Sequence, residues 1–101
     1  MVRHIVMFKL KPFETAAEKT AKLQEIKTHL EALKEKIEVL RLIHVDFNID
    51  PAETWDLILT TELDTLADVN TYANHPEHVA VAKGIIGPVK ADRACVDYEV
   101  L

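Results

Sequence analysis

Glycine and cysteine are scarce in this 101-residue sequence, with two of the first and one of the second. The two glycines, Gly84 and Gly87, cannot build a glycine-rich phosphate loop. The lone cysteine, Cys95, has no partner for an internal disulfide, and a reducing, cytoplasmic setting is the simplest expectation. Cys95 lies in the strand-like run Arg93-Ala94-Cys95-Val96-Asp97-Tyr98 with no histidine near it in sequence. It therefore reads as a small hydrophobe and not as a nucleophile. Basic residues are also short: 12 Lys and Arg stand against 17 Asp and Glu, a net charge of −5. That balance argues against a nucleic-acid partner, which needs a clustered basic face, and against an anionic membrane surface. Apolar runs of spanning length, roughly 20 residues, are missing. Met1-Val2-Arg3-His4-Ile5 passes directly into strand-like residues and lacks the build of a signal peptide. With no repeat, low-complexity tract or linker, residues 1–101 read as a single domain.

What is present is strong periodicity. Val2 to Leu10 alternates as a strand, with Val2, His4, Val6 and Phe8 on one face and Arg3, Ile5, Met7 and Lys9 on the other. From about Thr15 to Lys36, Leu23, Ile26, Leu30, Leu33 and Ile37 recur at spacings of three and four, the apolar stripe of a long helix. His29 falls beside that stripe and reads as structural. Val39 to Phe47 and Trp55 to Leu63 are the second and third strands, separated by the turn signal Asn48-Ile49-Asp50-Pro51. Asp64 and Thr65 are N-cap candidates for a short helix to about Ala73, which restarts after His75-Pro76. Ala94, Val96, Tyr98 and Val100 mark a last strand.

The order β-α-β-β-α-β predicts an α+β, ferredoxin-like fold with a four-stranded antiparallel sheet and both helices on one face. An antiparallel sheet with one wet face alternates cleanly between apolar and polar residues. Here strand one sets Val2, Val6 and Phe8 against Ile5 and Met7, and strand two sets Ile43, Val45 and Phe47 against Leu40 and Leu42. The second face needs a cover that the chain does not itself supply. A second copy is the economical one, giving a homodimer whose two sheets close into a dimeric α+β barrel with a pocket in each half.

Chemistry concentrates in Tyr72-Ala73-Asn74-His75-Pro76-Glu77-His78-Val79, with a phenol and two imidazoles at a helix break. Imidazole is the side chain best poised for proton transfer near neutral pH. His4, on the first strand among Val2, Val6 and Phe8, is a fourth polar candidate.

These pieces resemble the stress-responsive A/B barrel domain (Dabb) family over essentially the whole chain. Met1 to Lys11 is similar to its first strand. Trp55-Asp56-Leu57-Ile58-Leu59 with Leu66 to Tyr72 is similar to its third strand and second helix. Tyr72-x-x-His75-Pro76-x-His78, with Val96-Asp97-Tyr98, is the most specific piece. The resemblance implies a dimeric barrel, no cofactor, and a protein of undefined activity, some plant members being linked to stress tolerance. It also implies candidate catalytic residues. A few plant members are cofactor-free polyketide cyclases whose catalytic Tyr and His map onto Tyr72 and His78, and whose first-strand His maps onto His4. Barrel relatives outside the family include cofactor-free monooxygenases and lactone isomerases. This sequence departs on strand three, where Leu57 and Leu59 stand in place of a further histidine of the cyclases.

Two functions from different classes follow. One is a stress-associated dimer that binds a small hydrophobic or aromatic carbonyl compound in a pocket lined by Val6, Phe8, Leu59, His75 and Val81. The other is a cofactor-independent lyase, cyclase, isomerase or monooxygenase-like enzyme. In it His78 removes a proton next to a carbonyl, Tyr72 donates to the oxyanion, and His4 orients the substrate. The structural alternative keeps Tyr72 and His4 as satisfied core residues, and has His75 near a helix N-cap with His78 merely packed. His75 and His78, three apart, could also chelate with His4. Pro76 interrupts that geometry, and no metal is assigned.

Overall fold

A computed structural model describes residues 1–101. Strand β1 (Val2–Leu10) leads to helix α1 (Ala16–Glu31), which tightens into a 3₁₀ turn over Ala32–Glu35. Strands β2 (Leu42–Phe47) and β3 (Leu57–Leu63) follow, then helices α2 (Leu66–Asn74) and α3 (Pro76–Val81), and finally β4 (Lys90–Glu99). The strands form one antiparallel sheet in the order β2-β3-β1-β4, the ferredoxin-like arrangement that the element order predicts. β2 and β3 begin two or three residues later than the alternation suggests. Leu40, expected on the sheet's second face, is instead in the connection before β2 and buried in the core.

Register fixes which side chains share a face. On the helix side, Ile43, Thr61, His4 and Asp97 form one row, and Val45, Leu59, Val6 and Cys95 the next; Phe47, Leu57, Phe8 and Arg93 form a third. The helix stripe packs on the first three strands, and Ile26, Leu30, Leu33 and Ile37 are at most 1% exposed. β4 receives almost no cover, and nearly every one of its residues is exposed. That is why its helix-side positions are Arg93, Cys95 and Asp97, where the other strands carry mostly apolar residues.

Two polar clamps hold the layers. The Asp56 carboxylate accepts from the Leu10 amide and from Lys19 Nζ, both at 2.7 Å, and ties α1 to the sheet end. Burial raises the pKa of this carboxyl, but the amide and the ammonium outweigh that and hold it below the usual carboxylate range. Glu31 accepts from the Val45 amide at 3.0 Å, while Lys27 donates to the Val45 carbonyl at 2.6 Å. That pair occupies the outer edge of β2, where unpaired backbone groups would otherwise recruit a strand.

Candidate functional site

Thr65 caps α2 with its hydroxyl, which accepts from the Asp68 amide at 3.1 Å. The helix stops at His75 because the residue before a proline is driven out of the α region. His75 is extended at φ −64°, ψ 133°, and Pro76 starts α3 in a new direction. The side chain of His75 is used locally, its Nδ1 accepting from the Glu77 amide at 3.1 Å. His78 then folds back over the end of α2, where its Nδ1 meets the Ala73 carbonyl at 2.9 Å. A carbonyl only accepts, so Nδ1 carries the hydrogen and Nε2 of the neutral ring keeps a lone pair. Burial lowers the pKa of His78 and outweighs the Ala73 carbonyl, which raises it, while the nearby His4 and Arg93 add to the lowering, so the neutral ring is favoured.

The ring of Tyr72 neighbours both imidazoles. Its centroid is 4.5 Å from that of His78, and 6.3 Å from that of His4, which it meets edge-on at 72°. Tyr72 is 1% exposed, and its hydroxyl has no hydrogen-bond partner in the chain. Burial also pushes its pKa well above the usual phenol value, so the hydroxyl stays protonated and is available as a donor. His4 is anchored from the sheet: Asp97, its register partner on β4, accepts from His4 Nδ1. Thr61, opposite on β3, donates to the His4 carbonyl at 2.9 Å. With Nδ1 donating to a carboxylate, Nε2 of His4 is again the free position.

These three residues surround one cavity of about 130 Å³, mostly apolar in its lining. Val6, Phe8 and Leu59 supply its sheet wall, and Leu30, Ala73, Ala82 and Ile86 its helical wall. The cavity lies between sheet and helices within one protomer, not between two facing sheets. His75 and Val81 do not line it. His75 is committed to capping α3 and borders a separate cleft by Lys36 and Thr71. Val81 stands one position off the row His78, Ala82, Ile86, and this rotates it into the core, where it is 7% exposed. A π-helical turn over Ala82–Ile86 continues α3 and carries two of the wall residues. Such widened turns occur frequently at functional sites.

The metal set of His75, His78 and His4 does not assemble, because the first two rings are held by different backbone groups. The donors that gather are His4, Cys95 and Asp97, with one ligand atom from each within 4.8 Å of the others. Cys95 Sγ lies 3.5 Å from His4 Nδ1, a nearness produced by pairing β4 with β1 and invisible in local sequence. Four residues at the site were not among the expected site residues: Lys90, Arg93, Asp97 and Cys95, the last read as a small hydrophobe but exposed on β4. Only the β1–β4 register, His4 opposite Asp97, would have exposed them.

No helix is long and apolar enough to cross a membrane. The family model for the stress responsive A/B barrel domain matches residues 2–100. No protein of curated function matches the chain. Among solved structures, a dimeric protein of unknown function with a ferredoxin-like fold from Bacteroides fragilis is 48% identical, with a TM-score of 0.90 over 98% of this chain and 95% of its own. A dabb family protein with a ferredoxin-like fold from Mesorhizobium loti is 25% identical, with a TM-score of 0.76 over 99% of this chain and 96% of its own. A dimeric ferredoxin-like protein of unknown function from Thermobifida fusca is 26% identical, with a TM-score of 0.81 over 98% of this chain and 90% of its own.

Proposed function

The chain belongs to the stress-responsive A/B barrel domain family, and on that premise we propose that it is a stress-associated homodimer that binds a small, largely apolar carbonyl compound in the cavity of each protomer. The observation that carries this reading is the buried Tyr72 hydroxyl without a partner. An unsatisfied buried donor costs about 1–3 kcal/mol, and a ligand carbonyl oxygen placed in the cavity removes that cost. The size of the cavity sets the ligand. A dry apolar cavity of about 150 Å³ is enough for a benzene ring, so about 130 Å³ suits a body of one ring or less. The relatives from Bacteroides fragilis and Thermobifida fusca are dimers, which supports the homodimer.

A second reading, cofactor-free proton transfer, is favoured by the state of His78. Its Nδ1 is occupied by Ala73, it is held neutral, and its Nε2 lone pair is free to take a proton. In such a reaction His78 removes a hydrogen from the carbon beside the carbonyl while Tyr72 donates to the developing oxyanion. His4, steadied by Asp97, orients the bound molecule. General acid–base catalysis of this kind contributes about 10²–10⁴-fold.

Cyclohexanone, a neutral ketone of one ring, tests both. Binding is read from the rise in melting temperature, and proton transfer from deuterium uptake at the α-carbon by NMR in D₂O. The expected results are a rise with wild type that Tyr72→Phe abolishes, and deuterium uptake that His78→Ala abolishes. Equal stabilisation of wild type and Tyr72→Phe would sink the carbonyl reading. Uptake surviving in His78→Ala would remove the proton-transfer role.

A further inference from the structure

The cavity is apolar along most of its wall, yet it also carries Lys90 and Arg93. Both are on β4, the strand that the helices leave uncovered, and both are exposed. Neither cationic head has a partner in the chain. None of the seven ion pairs includes them, and outside the strand ladder the one hydrogen bond at Arg93 is from its backbone amide to the Asp92 carboxylate, which leaves the guanidinium free. This is not for want of carboxylates, since acidic residues outnumber basic ones 17 to 12. The nearest carboxylate on the same face of β4, Asp97, is engaged by His4. Two free cations thus stand at the uncovered side of a small cavity that is also lined by Tyr72, whose buried hydroxyl has no partner.

We infer that the bound molecule is a small oxo acid, with its carbonyl at Tyr72 and its carboxylate held by Arg93 and Lys90 at the β4 side. The inference rests on the carbonyl reading of the cavity and adds the anionic end. Arginine presents a planar fork that matches a carboxylate in two parallel hydrogen bonds, and lysine adds a point charge beside it. Position supports the division of labour. A carboxylate in the apolar interior would lose its hydration, whereas at the exposed strand it keeps water on one side. Arg93 is also close enough to His78 for its charge to act on that imidazole. A carboxylate on Arg93 therefore connects ligand binding to the proposed base.

Isothermal titration of pyruvate, acetoacetate and levulinate beside their methyl esters tests this, because each ester keeps the carbonyl skeleton but replaces the charge with a methyl group, and the series steps the carbonyl away from the carboxylate. The expected result with wild type is at least one acid bound about tenfold more tightly than its ester. That advantage shrinks as salt rises, as exposed charges require. In the double variant Lys90→Gln with Arg93→Gln the acid falls to the affinity of the ester, and the ester is unchanged. Both side chains are exposed and unpartnered, so the variant keeps the wild-type melting temperature. Acids and esters that bind alike in wild type, or an acid preference that survives the double variant, would overturn the anionic end while leaving the carbonyl at Tyr72 in place. Failure of every acid and every ester to bind would overturn both.

Discussion

Tyr72 is the residue where stability and binding pull apart. A buried phenol normally finds a partner for its hydroxyl, and this one has none although it is 1% exposed. Removing the oxygen should therefore cost the empty protein nothing. Tyr72→Phe is expected to match or exceed wild-type stability, by up to about 1–3 kcal/mol, in urea unfolding without ligand. A loss of more than about 1 kcal/mol would mean that the hydroxyl is satisfied in solution and that the site is scaffold. The residues of the site differ in how legible they were. Tyr72 and His78 stand out in the sequence because two helical segments meet at His75-Pro76 with a phenol and an imidazole close by. His4 stands out as the polar residue on an apolar strand face. Asp97 and Arg93 do not, since their neighbours at the site come from β1 and the helices, tens of residues away. His75 and Val81 carried the right chemistry for a pocket, but His75 is spent on capping α3 and Val81 is rotated into the core.

At the scale of elements, His78 is a fastener between α2 and α3 as well as a wall of the cavity. Its Nδ1–H satisfies the Ala73 carbonyl at the end of α2. Burial lowers its pKa in the folded protein, so linkage has a definite sign. Below about pH 6.5, the ordinary histidine value, the unfolded chain binds a proton that the folded imidazole still resists. Stability is therefore full above that pH and falls as pH drops below it, until the folded ring also protonates. His78→Gln keeps an amide donor for Ala73 but cannot titrate. The difference in unfolding free energy between wild type and variant is expected to shift against wild type between pH 7.5 and 5.5. Parallel loss in the two proteins would show that His78 is not the group responsible. Elements themselves were legible wherever a period ran long. β1 has the length and face that its alternation requires, while α1 has the face of its stripe but ends at Glu31, the rest of the expected helix tightening into the 3₁₀ turn over Ala32–Glu35. Boundaries slipped at Leu40, which is buried in the core from the connection before β2 and not from a strand, and at Trp55, which is only partly buried in the connection before β3.

The whole molecule measures 40 × 26 × 18 Å, thin enough for one sheet and one helical layer. Its second sheet face is therefore bare, and it is not a polar face. Register places Ile5, Met7, Ile58, Ala94 and Val96 side by side there, with Arg3, Glu62 and Tyr98 linked along one flank. Val96 and Tyr98 remain 53% and 42% exposed. An apolar stripe of this kind, framed by polar groups, is what a partner covers. A second copy of the chain does so with a self-complementary patch. One substitution separates assembly from folding. Val96 is already half-exposed in the protomer, so Val96→Lys adds a charge that a lone chain keeps in water. In the proposed homodimer that charge is buried opposite its own symmetry mate or beside apolar neighbours, at a cost of about 3 kcal/mol or more, which is over a hundredfold in dissociation constant. Sedimentation equilibrium is expected to give wild type at twice the 11.4 kDa chain mass and the variant at the chain mass. Far-UV circular dichroism should be unchanged between them. A variant that still sediments as a dimer would move the interface off this face, with the β4 edge as the next surface to test, because the β2 edge is already occupied by Glu31 and Lys27. A variant that is monomeric and folded would also allow the ligand titrations to be repeated on one protomer. The cavity lies between sheet and helices of a single chain, so its affinity for a ketone should survive the loss of the partner.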